Sequence, residues 1–136
     1  MIATKMLEGN VLWSYDYELN DKKRFGWLKK IVGLFSFIKP MHTHEGNILL
    51  ASNGLFISGD ERLELQLSQI EEIYMGFDDV FPASAVKNFG AFWQPIRIKS
   101  YLSYSESQTI YLVINYNGIS TDNKTWFNTL IAMLQR

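Results

Sequence analysis

The sequence predicts a mainly β fold of the α+β kind: seven antiparallel strands closed by one C-terminal amphipathic helix. Three observations carry that prediction. Apolar and polar residues alternate with period two over much of the chain, which marks half-buried strands. Turn-forming pairs, above all Asn53-Gly54, punctuate the alternation. Near the C-terminus, Trp126, Phe127, Leu130, Ile131 and Leu134 recur at helical spacing instead.

Composition supports one domain over 1–136. The chain has 136 residues, of which 47% are hydrophobic and 20% charged, enough for a packed core and too apolar for a disordered chain. With 3 Pro and 9 Gly it is neither collagen-like nor a linker. The absence of Cys excludes a disulfide scaffold, a thiolate metal cage and a cysteine nucleophile, and fits a reducing compartment. A net charge of −1 argues against a general nucleic-acid binder. Residues 1–19 carry Glu8, Asp16 and Glu18 and have no signal-peptide core. The longest apolar run, 31–38, contains Gly33 and Ser36 and falls far short of the ~20 residues of a membrane span. The expected location is the cytoplasm.

The first predicted strand is 11–19. Val11, Trp13, Tyr15, Tyr17 and Leu19 share one face, and Leu12, Ser14, Asp16 and Glu18 the other. Asn20-Asp21 reads as a turn. The stretch 22–39 differs in kind. It holds Lys22, Lys23, Arg24, Lys29, Lys30 and Lys39 and no acid, a local charge of +6 that leaves −7 for the rest of the chain. Trp27, Ile31, Leu34, Phe35 and Ile38 follow helical spacing, so a short amphipathic helix is predicted over 26–37, ended by Pro40.

From Gly46 the pattern is β throughout. Strands are predicted over 48–52 and 55–58, with Asn53-Gly54 as the hairpin turn between them. After a turn at 59–62, Leu63, Leu65 and Leu67 alternate, the period slips at Ile70, and Ile73, Met75 and Phe77 resume it. The stretch 63–77 is either one bent strand or two. A long loop, 78–93, contains the aromatics Phe81, Phe89, Phe92 and Trp93. Strands follow over 96–103 and 110–116, separated by a polar turn at 105–107. Thr121 or Asp122 is the expected N-cap of the last helix, whose apolar stripe must lie on the sheet.

This order of elements resembles the pleckstrin-homology (PH) superfold. The run Gly46-Asn47-Ile48-Leu49-Leu50-Ala51-Ser52-Asn53-Gly54-Leu55-Phe56-Ile57-Ser58 resembles the GRAM branch, in which a G-x-L-x-L-T-x-x-x-L-x-F strand pair precedes an I-x-L-x-x-I-x-x-I strand. Leu65, Leu67, Ile70 and Ile73 stand in comparable places. The likeness covers 11–136 except an insertion at about 21–45. A small β-barrel of another type is the structural rival. The resemblance implies a non-catalytic binding module without a cofactor, with the loop between the first two strands meeting anionic lipid. The basic residues that family members carry on the second strand have no counterpart in 48–52. What the insertion offers is general attraction to an anionic surface through Lys22, Lys23, Arg24, Lys29 and Lys30, with interfacial burial of Trp27. The alternative is a protein partner, or a second copy of the chain, met by the same helix or by Phe81, Phe89, Phe92 and Trp93.

Other candidates are weaker. His42 and His44 could share a strand face, but no third ligand stands nearby, so no metal is expected. A pH-sensitive surface patch is the alternative there. Glu71-Glu72 and Asp78-Asp79 are adjacent acid pairs. On a regular strand Glu71 and Glu72 point to opposite faces and serve no common site, and both pairs read as solvated surface. No phosphate cradle, nucleophile elbow or nucleophile–base set is present.

Overall fold

The structure, a computed structural model, describes residues 4–19, 40, 42–83, 91–101 and 106–135. Seven strands form one antiparallel sheet: β1 Lys5–Tyr15, β2 His44–Ala51, β3 Gly54–Gly59, β4 Leu63–Gln66, β5 Ile70–Met75, β6 Ile96–Tyr101 and β7 Ser107–Ile114. Among the described residues two helices accompany it, the single turn α1 Asp16–Leu19 and the C-terminal α2 Asn123–Leu134. The sheet order is β4-β3-β2-β1-β7-β6-β5. Its two edge strands are joined by one turn of 3-10 helix, Leu67–Gln69, so the sheet curls until its edges nearly meet. That turn is the slip of period at Ile70, and it makes 63–77 two strands rather than one.

Curling gives the sheet an inside. Val11, Trp13, Ile48, Leu50, Leu55, Ile57, Leu65, Ile96, Ile98, Ile110, Leu112 and Ile114 alternate inward and are buried there. Trp126 and Leu130 of α2 complete that core, with Phe127 packed partly buried beside them. Each such large side chain stabilises the fold by about 1.5–3 kcal/mol relative to exposure, so the helix stripe is held on the sheet. Asp122 occupies the N-cap position of α2 but makes no capping bond. Its carboxylate accepts from Asn115 Nδ2 at 2.7 Å, and Thr121 Oγ1 accepts the Asn123 N–H at 3.2 Å.

Several boundaries differ from the alternation. β1 begins at Lys5, six residues earlier than Val11, because β2 reaches back to pair with it, Lys5 opposite Ala51. It ends at Tyr15, where Glu18 Oε1 accepts the Tyr15 N–H at 2.9 Å and turns the chain into α1. The turn sends Leu19 to the opposite face from Val11 and Trp13. The β2–β3 hairpin loop is Ser52–Asn53, and Gly54 is already the first residue of β3. A Cβ on Gly54 would stand 2.5 Å from the Leu65 carbonyl oxygen, so glycine there serves close strand approach. The helix predicted over 26–37 lies outside the described residues.

The outer face carries a second cluster. Leu12, Tyr111 and Val113 point outward from β1 and β7 and are covered by Leu19, Phe81 and Trp93. The patch of β1 and β7 that alternation would leave wet is therefore dry, and β7 is buried on both faces over 110–114.

Candidate functional site

Among the described residues, two networks join ionisable side chains across elements, one at a rim of the sheet and one on its outer face. At the rim, β1 ends, β2 begins and the β3–β4 turn passes between them. Gly46 of β2 faces Gly59 of β3, and a Cβ on Gly46 would stand 2.2 Å from the Ser58 carbonyl oxygen. That glycine pair lets the Asp60 turn come down on the start of β2. His44 Nδ1 then lies 2.7 Å from Asp60 Oδ2, and Nε2 lies 2.9 Å from both Glu18 oxygens. Glu61 Oε2 stands 3.7 Å from the same Nε2. Thr43 Oγ1 donates to Glu18 Oε1 at 2.8 Å, and the Thr43 N–H donates to the buried Ser14 Oγ at 2.7 Å. Asp60 Oδ1 accepts the Glu45 N–H at 3.1 Å.

Aromatic rings wall this cluster. Trp13 lies 4.5 Å from the His44 ring and Tyr15 lies 6.0 Å away, edge on. Tyr17 stacks on Tyr15 at 5.2 Å and is itself exposed. Trp13 Nε1 is buried without a hydrogen-bond partner among the described residues, so the indole serves the cluster with its face. Burial alone would lower the His44 pKa. The bond to Asp60 and the charges of Glu18 and Glu61 outweigh it and hold the imidazole above its ordinary value of 6.5. The hydrogen bond from His44 holds the Asp60 carboxyl below its ordinary 3.8.

On the outer face, Asp78 is the hub. Its Oδ1 accepts the Val80 and Phe81 N–H groups at 2.9 and 2.8 Å, and its Oδ2 accepts from Arg97 Nη1 at 2.9 Å and Tyr111 Oη at 2.7 Å. Arg97 reaches Glu72 at 2.9 Å with its other nitrogen and lies 4.5 Å over the Tyr74 ring. Burial opposes ionisation of Asp78, but these donors prevail and hold its pKa below 3.8. Burial and the adjacent Asp78 carboxylate push the Tyr111 phenol far above its ordinary range. Asp78 is thus a knot within the fold rather than solvated surface. Glu71 and Glu72 also depart from the alternation. A register shift between Ile70 and Glu72 breaks it, and both acids pair with β6, Glu72 with Arg97 and Glu71 with Lys99 at 3.9 Å.

Of the residues singled out by sequence, Lys22, Lys23, Arg24, Trp27, Lys29, Lys30 and Phe89 lie outside the described residues. Phe81 and Trp93 are 1% and 9% exposed and belong to the chain's own outer cluster. Phe92, at 60% exposure, faces solvent and rims an open cleft of about 310 Å³ that includes Met75 and Lys124. His42 pairs with Glu45 at 3.6 Å and with the Pro40 carbonyl, away from the His44 partners. Among the described residues no group of three or more His, Asp or Glu is arranged to hold a metal ion. No described helix is long and apolar enough to cross a membrane. The sequence did not reveal Glu18, Asp60 or Asp78 as partners, since each meets residues 16 to 33 positions away.

No family model matches the chain, and no curated protein matches it. Its fold is similar to the crystal structure of the C-terminal domain of an unknown protein from Leishmania infantum. The TM-score is 0.53 at 9% sequence identity, over 98% of this chain and 86% of that one. At that identity the likeness concerns the fold alone.

Proposed function

We propose that the chain is a non-catalytic binding module of the PH type, GRAM-like in its second and third strands, that contacts an anionic membrane surface through the insertion at about 21–45. The strand order and the helix that follows β7 support the PH-like reading. One observation carries the rest: 22–39 holds six cations and no acid, while Glu18, Thr43 and His44, close to either side of it, are tied together at one rim. The fold thus offers a fixed base for a strongly basic segment. Each Lys or Arg near an anionic leaflet contributes about 1 kcal/mol, and Trp27 adds interfacial burial. The lack of Lys and Arg on β2 favours general electrostatic adhesion over recognition of one headgroup. On this reading the chain works in the cytoplasm as a peripheral membrane protein. The acids of the outer face, Glu72 and Asp78, are engaged in ion pairs, which supports binding rather than catalysis.

Co-sedimentation with vesicles of neutral or anionic phospholipid, at low and high salt, tests the proposal. Wild type is expected to sediment with anionic vesicles at low salt. It should be released at high salt, because the screening length falls from about 10 Å at 0.1 M to about 3 Å at 1 M. A variant with Lys22, Lys23, Arg24, Lys29 and Lys30 changed to Ala should stay in the supernatant. If it sediments like wild type, the lipid reading fails. The exposed ring of Phe92 supports a second reading, contact with a protein or with a second copy. That reading expects salt-insensitive association in light scattering, weakened by Phe92→Ser.

A further inference from the structure

We propose that His44 is a proton-operated clamp: when protonated it holds the β3–β4 turn on the sheet rim through Asp60, and loss of the proton frees that turn. Both ring nitrogens face carboxylate oxygens at hydrogen-bond distance, Nδ1 toward Asp60 and Nε2 toward Glu18. An ionised carboxylate only accepts, so both nitrogens must donate, and only imidazolium does that. A neutral ring turns a lone pair toward one of the two.

The surroundings decide which arm lets go. Among the described residues, Glu18 faces His44 from α1, Asp60 and Glu61 face it from the β3–β4 turn, and the Trp13 and Tyr15 rings face it from β1. On its own strand, Glu45 turns to His42. Among the described residues, three carboxylates thus surround one cation, and deprotonation removes it. The Glu18 side chain is 14% exposed and also holds Thr43 Oγ1 and the Tyr15 N–H. The Asp60 and Glu61 side chains are each 49% exposed. Water can resolvate Asp60 and cannot easily reach Glu18, so the remaining proton stays on Nε2 and the Asp60 arm opens. The raised pKa of His44 places this transition above 6.5. The clamp stands on the rim geometry and does not depend on the lipid reading.

Ring-proton NMR across a pH titration, with amide exchange expressed as protection factors, tests it. His44 should titrate above 6.5. The Glu45 amide, which donates to Asp60, should lose about tenfold or more of its protection across that transition. The Tyr15 amide, which donates to Glu18, should keep its protection. Asp60→Ala removes the acceptor of the Glu45 N–H and of His44 Nδ1 from a half-exposed position. It should lower the His44 midpoint and leave the Glu45 amide weakly protected at every pH. The proposal is overturned if His44 titrates at or below 6.5, if Glu45 protection does not follow the His44 midpoint, or if the Tyr15 amide opens instead.

Discussion

At the rim of the sheet a histidine sits among three carboxylates; on its outer face a carboxylate sits among an arginine, a tyrosine and two backbone amides. Both knots fasten irregular chain to the same sheet. They differ in the group at the centre. His44 gains or loses its charge at a pH above 6.5, so its partners meet either a cation or a lone pair. Asp78 is ionised across the whole neutral range, Arg97 never discharges, and all the Asp78 lone-pair positions are filled by donors. The first arrangement can be set by pH, whereas the second is a permanent fastening for 78–81.

The largest expected effect breaks the permanent knot. Asp78→Ala leaves Arg97 with Glu72 alone, deprives Tyr111 Oη of its acceptor and releases the Val80 and Phe81 N–H groups. Breaking a partly buried ion pair by removing one member costs about 3 kcal/mol. Urea unfolding should show a midpoint shift of that size, with Trp93 fluorescence moving toward that of an exposed indole as its cluster loosens. A cost below about 1 kcal/mol would mean that apolar packing of Phe81 and Trp93 holds the segment by itself, and that Asp78 is no fastening.

The next test separates the knots by pH. The His44 pKa is raised by folding, so its contribution is fully present below 6.5 and is lost as pH rises through the higher folded value. The Asp78 pKa is lowered by folding, so its contribution is present above 3.8 and is lost as pH falls through the folded value. His44→Gln should therefore lose about 1–2 kcal/mol relative to wild type below pH 6.5 and converge with it in alkali. Asp78→Asn should converge with wild type only in strong acid. Thermal melts of the three proteins from acid to alkali would show whether the two difference curves slope in opposite directions. Parallel curves would deny the distinction.

The inner core was legible because it rests on local pattern. Val11 and Trp13, Ile96 and Ile98, and Ile110, Leu112 and Ile114 alternate as strands must, and Trp126 and Leu130 repeat as a helix must. The outer cluster left one trace, the unbroken apolar run 110–114, which is what a strand covered on both faces looks like. The knots left almost none. Glu18 reads as the wet side of a strand until its capping bond to Tyr15 is seen, and Asp60 reads as turn punctuation. Their meeting with His44 depends on the Gly46–Gly59 approach, a property of the folded sheet rather than of any short window of sequence. Phe81 and Trp93 look like a partner surface in one dimension because nothing local says that Tyr111 and Val113 need covering.

The smallest effect probes the permanent knot most selectively. Tyr111→Phe keeps the ring that packs in the outer cluster and removes one donor from Asp78. Three donors remain on the carboxylate, so no group is stranded, and the cost should be about 1 kcal/mol. The same change should raise the pH at which the Asp78 contribution is lost, because a bond that favours the ionised form is gone. It should leave the transition of His44 where it was, since Tyr111 is not among the groups that face that ring. A Tyr111→Phe protein whose His44 midpoint also moves would show the two knots to be one coupled system, and the division between a switchable rim and a fixed outer face would have to be given up.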